Sequence, residues 1–191
     1  MQKLLQEIRR CSLCESLPLG PKPLLQGSRD ARILIAGQAP GRRAHESGVP
    51  FDDRSGDRLR DWLGIDRDAF YDASRIAIMP IGFCYPGSGE RGDLPPRPEC
   101  ARTWRRRLLD TLGEVHLTVL VGIHAQRWHL RERCGRTMAE TVARWRSFWP
   151  SAVPLPHPSP RNAHWLQAHP DVAAEIVPAL RLRVQEILAE D

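Results

Sequence analysis

No apolar run in this chain approaches the roughly 18 to 20 residues that a membrane-spanning helix needs. The N-terminus lacks the apolar core of a signal peptide, so an intracellular, cytoplasmic protein with no membrane partner is expected. Lysine is nearly absent: of 28 basic residues, all but Lys3 and Lys22 are arginine. Cysteine is scarce and odd in number. Five thiols without a secretory leader argue against a disulfide framework and for metal or cluster ligation in a reducing compartment. There is no internal repeat, low-complexity tract or convincing linker. With 191 residues and 41% hydrophobic composition, one domain spanning 1–191 is expected, as a monomer.

What is present is a net charge of +5 carried on arginines, which suits a phosphate-rich partner, although arginines also merely solvate helix faces. Residues 32–36 form a short apolar run that ends at once in Gly37-Gln38-Ala39-Pro40-Gly41, the pattern of a buried strand and a tight loop. Residues 75–80, 117–121 and 152–155 read as further buried strands, each ending at glycine or proline. Between them, residues 57–63, 98–112, 125–131, 137–148 and 170–188 show apolar spacings of three and four. Strands alternating with helices predict an α/β fold with a parallel sheet covered on both faces, whose ligands bind beyond the strands' carboxyl ends.

Cys11 and Cys14 form a C-x2-C pair at a helix end, and Cys84 and Cys100 lie in a stretch rich in proline and glycine. Four thiolates suit an iron–sulfur cluster or zinc, and the spacing alone does not choose between them. Cys84 and Cys100 could also be ordinary buried residues. Cys134 stands apart in an arginine-rich segment and is expected to be a packing thiol.

Two loops carry the chemistry. The glycines of 37–41 let backbone amides approach a ligand, and no Gly-Lys-Ser/Thr follows, which excludes a P-loop. Near the other end, His157-Pro158-Ser159-Pro160-Arg161-Asn162 again follows an apolar strand. A histidine in a proline-bracketed turn loses little entropy on positioning, and its ring N–H can donate to charge developing on an oxygen. Taken singly, such a histidine could instead cap a neighbouring helix.

These residues resemble the uracil-DNA glycosylases, particularly the iron–sulfur family 4 enzymes, over most of the chain. Family 4 carries GEAPG followed by a spaced G-x-P-F, and residues 37–51 read GQAPGRRAHESGVPF. The family's four cluster cysteines are spaced as Cys11, Cys14, Cys84 and Cys100 are, which makes a 4Fe-4S cluster the expectation over zinc. HPSPRN is similar to the second motif of the single-strand-selective monofunctional uracil glycosylases, so the chain resembles a hybrid branch. The resemblance implies a three-layer α/β/α sandwich around a four-stranded parallel sheet. It also implies base excision from DNA after flipping of the damaged base.

By the same resemblance His157 stabilises the departing base, Phe51 stacks on it, and Gly37, Gln38 and Ala39 line the pocket and orient water. Ser159, Arg161 and Asn162 face DNA, where Arg161 enters the minor groove or contacts a phosphate. Two positions depart from the pattern. The asparagine that reads the uracil edge in family 4 is replaced by Pro80, leaving backbone groups around Ile81 and Gly82 for recognition, or a different damaged base as substrate. Ala39 and Gln38 replace the family 1 aspartate and the family 4 glutamate, so His45, Glu46, Asp52 and Asp53 are the candidates for water activation or cation stabilisation. His45 could also trap the sugar covalently. A non-catalytic or covalently trapping binder of damaged bases is therefore the alternative to a monofunctional glycosylase, with a cluster-bearing or zinc-bearing interaction module as a third reading. The cluster is expected to be structural, tying the N-terminal segment to the loop between Cys84 and Cys100.

Overall fold

Ile33, Leu34, Ile35 and Ala36 form strand β1 (Ile33–Ala36), and all four side chains are buried. Burial on both faces is what a continuous apolar run implies for a central parallel strand. The computed structural model describes residues 1–90 and 92–190. The remaining strands are β2 (Ile76–Ile78), β3 (Ser88–Gly89), β4 (Gly92–Asp93), β5 (Leu117–Val121) and β6 (Ala152–Leu155). β2, β1, β5 and β6 make a four-stranded sheet in that order, every neighbouring pair parallel. β3 and β4 form a separate antiparallel ribbon.

The helices are α1 (Gln2–Arg9), α2 (Arg42–Ser47), α3 (Arg54–Leu63), α4 (Arg67–Tyr71), α5 (Pro98–Cys100), α6 (Arg106–Leu109), α7 (Ile123–Leu130), α8 (Met138–Ala143), α9 (Ala163–Ala168) and α10 (Val177–Ala189). Alternation along β1 sorts them into two layers. Ile33 and Ile35 pack with Leu59, Leu63, Phe70, Val142, Leu180 and Val184, from α3, α4, α8 and α10. Leu34 packs with Leu5, Ile8, Trp104 and Leu108, and Ala36 with Ala125 and Leu130, on the opposite face. This is the expected α/β/α sandwich around a four-stranded parallel sheet. Trimming a fully buried Ile35 or Leu63 to alanine would cost about 2–5 kcal/mol.

Local signals explain where the helices begin. Asp53 accepts the Gly56 amide at 2.9 Å and caps α3, which therefore starts before the apolar periodicity at 57. Asp66 caps the short α4 in the same way through the Ala69 amide at 2.8 Å. The helical stretch from Pro98 onward contains a π turn at Ala101–Arg105 and ends at Leu109. A π turn inserts one residue into the helical ladder and re-aims the side chains around it. No helix among the described residues is long and apolar enough to cross a membrane.

β2 lies on one side of β1 and β5 on the other, so the chain changes direction across the sheet at β1. Such a switch point opens a crevice at the carboxyl ends of the strands. The loops leaving β1, β2 and β6 carry residues 37–41, Pro80 and His157 to that edge.

Candidate active site

A cavity of about 340 Å³ occupies the crevice, lined by Gly37, Ala39, Pro40, Gly41, Phe51, Pro80 and His157 among others. Its size lies at the low end of the roughly 300–1,000 Å³ of small-molecule sites. Both sequence motifs meet there. Arg42, Arg43 and Arg161 also line it, as do Asp53, Ser55, Ser88, Asp93 and Ser159.

Phe51 is held under strain. Its φ is 57°, an outlier for a bulky side chain, and such strain persists only where the surroundings fix it. A Cβ at Gly56 would lie 1.7 Å from the Phe51 carbonyl oxygen, and one at Gly37 would lie 3.1 Å from the ring's Cζ. Both glycines therefore make room for Phe51. Its ring meets Phe70 edge-on, with centroids 6.3 Å apart and planes at 88°.

His157 is fixed through its other nitrogen. Nδ1 accepts the Ser159 amide at 3.2 Å, so the proton of the neutral ring is on Nε2. Burial lowers the pKa of His157, and the charges of Asp53 and Asp93 oppose that shift in part. The ring is thus a neutral N–H donor at ordinary pH. Asn162 braces the same loop, donating from Nδ2 to the His157 carbonyl at 2.7 Å, and does not line the cavity.

Several residues singled out in the sequence lie elsewhere. Gln38 is outside the cavity lining, and its Nε2 donates to the Leu94 carbonyl at 2.9 Å. The Ile81 amide donates to Gly37 and the Gly82 amide to Gln38, each at 2.9 Å, so neither N–H is available to read a base edge. His45 is buried on α2 with its ring 6.2 Å from that of Tyr85, and it does not line the cavity. Burial and the nearby Lys22 charge lower its pKa. Asp52 pairs with Arg67 at 2.9 Å, and Glu46 with Arg42 at 3.0 Å.

Asp93 and Ser88 were not legible in advance. They sit on the β3–β4 ribbon, inside the segment bracketed by Cys84 and Cys100, and the cysteine spacing was the one signal that this segment is drawn inward.

Cys14 and Cys84 pack together around Leu17, while Cys11 and Cys100 pack around Trp104. The charges of Cys11, Cys14 and Cys100 all bear on Cys84, whose pKa burial pushes up to about 12. Each sulfur has an N–H beside it. Trp104 Nε1 donates to Cys11 Sγ at 3.3 Å, Arg97 faces Cys14, and the amides of Lys22 and Phe83 favour the thiolates of Cys84 and Cys100. Among the described residues, no three His, Cys, Asp or Glu side chains are disposed to hold a single metal ion. Cys134 lies apart, with its sulfur 3.5 Å from the Thr141 hydroxyl.

A sequence model of the uracil DNA glycosylase superfamily matches residues 25–181, a span that takes in both motif loops, the whole four-stranded sheet and every residue that lines the cavity. By that match, the chain belongs to the uracil DNA glycosylase superfamily.

Proposed function

We propose that this chain is a monofunctional DNA glycosylase that flips uracil or a related deaminated base out of DNA and hydrolyses its N-glycosidic bond, in base excision repair. The observation that carries this reading is His157, a neutral ring with its proton on Nε2, on the wall of a cavity that Phe51 also lines. A flipped base needs an aromatic face to stack on and a donor for the charge it takes away. Phe51 supplies the first. The Nε2–H of His157 supplies the second, at the pyrimidine O2 as the bond to C1′ breaks. Arg42, Arg43 and Arg161, with Arg54 in the adjoining depression, supply phosphate contacts around the mouth.

With a proline at 80 and the amides of Ile81 and Gly82 engaged, the base edge is read by other groups lining the cavity. The residue singled out for trapping the sugar covalently, His45, does not line the cavity, and its ring lies 6.2 Å from that of Tyr85. The site therefore favours turnover.

Cys11, Cys14, Cys84 and Cys100 fit a 4Fe-4S cluster, in keeping with the family 4 pattern, while the HPSPRN loop is similar to the second motif of the single-strand-selective monofunctional enzymes. Four buried or half-buried thiols, each beside an N–H donor, suit cluster thiolates, whose hydrogen bonds tune them. Bound there, a cluster would supply a redox-neutral cross-link, since N-glycosidic hydrolysis transfers no electrons.

The test is to incubate anaerobically purified protein with oligonucleotides carrying single uracil, hypoxanthine, xanthine or 5-hydroxymethyluracil, and to cleave abasic sites with alkali. Scission with one lesion that falls by about 10²–10³-fold in His157→Ala is the expected result. Binding without scission for every lesion would replace the glycosylase with a damage binder.

A further inference from the structure

Hydrolysis needs a group that takes a proton from water, and the positions where related enzymes carry an acid hold Gln38 and Ala39 here. The Gln38 amide is tied to the Leu94 carbonyl and the Ala39 side chain is a methyl. Among the described residues, the acids lining the cavity are Asp53 and Asp93. They come near the same spot: the Oδ2 of each lies 3.5 Å from where a Cβ on Gly41 would stand. Each uses its other oxygen for a structural bond, Asp53 Oδ1 capping α3 and Asp93 Oδ1 accepting the Ser88 hydroxyl at 3.0 Å. Ser88 in turn shares a hydrogen bond of 2.7 Å with the Tyr85 hydroxyl.

The two carboxylates differ in their surroundings. Asp53 also lines the adjoining depression, among Arg43, Arg54 and Arg161, where cations damp its charge and DNA phosphates compete for them. The hydrogen-bond partner of Asp93 Oδ1 is a neutral hydroxyl, whereas Asp53 Oδ1 is spent on the first turn of α3; the charges of both carboxylates reach His157. It arrives on a ribbon remote in sequence from both motif loops, which is why the motifs alone point past it.

Resting on the glycosylase reading, we propose that Asp93 is the general base of the reaction. The water oxygen bonds to C1′ while the C1′–N bond breaks. The bonding pair leaves on the base, whose O2 is held by His157. The water proton passes to the Asp93 carboxylate and then to solvent. Ser88 and Tyr85 hold the carboxylate by its second oxygen, so that Oδ2 faces the water.

The test compares Asp93→Asn, Asp53→Asn and Asp93→Gly by single-turnover kinetics on the oligonucleotide that the unaltered protein cleaves fastest, with lesion-DNA affinity and melting temperature measured in parallel. Asp93→Asn should lower the rate by about 10²–10⁴-fold, the range of general acid–base catalysis, with affinity and melting temperature kept. Added formate should restore part of the rate to Asp93→Gly and none to Asp53→Asn. A rate within about tenfold of the unaltered protein for Asp93→Asn would overturn the assignment, as would a loss that formate does not repair and that follows a fall in melting temperature. If the unaltered protein cleaves no lesion, the glycosylase reading fails, and the role of Asp93 fails with it.

Discussion

The guanidinium of Arg105 donates to the Pro80 carbonyl at 2.7 Å, directly behind the cavity wall that Pro80 forms. The same nitrogen donates to the Met79 carbonyl at 2.8 Å, and Nη2 lies 2.6 Å from His129 Nε2. Arg105 is fully buried, stacked 4.6 Å from the Trp128 ring, and has no carboxylate partner among the described residues. Burial pulls its pKa down to about 9, which still leaves it charged at neutral pH. His129, pushed down to about 3 by burial and by that charge, is neutral and accepts. The π turn ending at Arg105 is the local feature that aims this side chain inward. The chain leaving β2 is thus pinned from the side opposite the ligand.

Arg105→Met should leave two carbonyls and a ring nitrogen without their donor and destabilise the fold by about 3 kcal/mol in chemical denaturation. Arg105→Lys, which keeps the charge but cannot fork across both carbonyls and His129, should recover only part of that loss. Equal stability of Arg105→Met and the parent would contradict the pinning.

The histidines set a pH dependence whose sign follows from their lowered pKa values. His129 and His157 are neutral in the fold and titrate near 6.5 when unfolded, so the unfolded chain takes up protons first as pH falls. Stability should be full above about pH 6.5 and decline below it, by roughly 1 kcal/mol per pH unit for each histidine. For His129 the decline should continue to its folded value of about 3. Denaturation midpoints between pH 8 and 4 give the slope, and a His129→Gln variant should flatten it. Catalysis, needing the neutral His157, should likewise persist below pH 6.5 rather than fall at the ordinary histidine value.

Phe51→Ala should weaken lesion-DNA binding by about 1–3 kcal/mol, the worth of one base stacked on an aromatic ring, with undamaged DNA affected far less. Gly56→Ala should damage the same step from a distance, because its methyl would overlap the Phe51 carbonyl and displace the strained loop. Fluorescence anisotropy on paired lesion and undamaged oligonucleotides separates the two effects. Equal loss on both DNAs would assign Phe51 to the core instead.

Cys14→Ser should abolish the visible absorption of a cluster and its complement of about four irons, and lower the melting temperature. Because the segment from Cys84 to Cys100 also carries Ser88 and Asp93 to the cavity, the variant should lose cleavage beyond what partial unfolding explains. A folded, iron-free and fully active variant would reject both the ligand set and the tie.

The sheet was legible because parallel strands buried on both faces leave continuous apolar runs bounded by glycine or proline, as at Ile33–Ala36 and Leu117–Val121. α2, α4 and α9 were not read, since helices of five or six residues carry too little periodicity; only a cap such as Asp66 marks them. The motif loops likewise announced Gly37, Ala39, Phe51, His157, Ser159 and Arg161, all of which line the cavity.

What the sequence by itself determined was therefore the layered α/β fold, the superfamily and the two loops that meet at the strands' carboxyl ends. Each of these rests on short-range patterns of backbone conformation and burial. Only the tertiary structure decided which atoms of those loops remain available. Gln38 is drawn off by Leu94 fifty-six residues away, the amides of Ile81 and Gly82 are taken by the first loop, and Asp93 is delivered by a ribbon remote from both motifs. A hydrogen bond between segments far apart in the chain leaves no periodicity in either segment, so its outcome becomes visible only once the chain has folded.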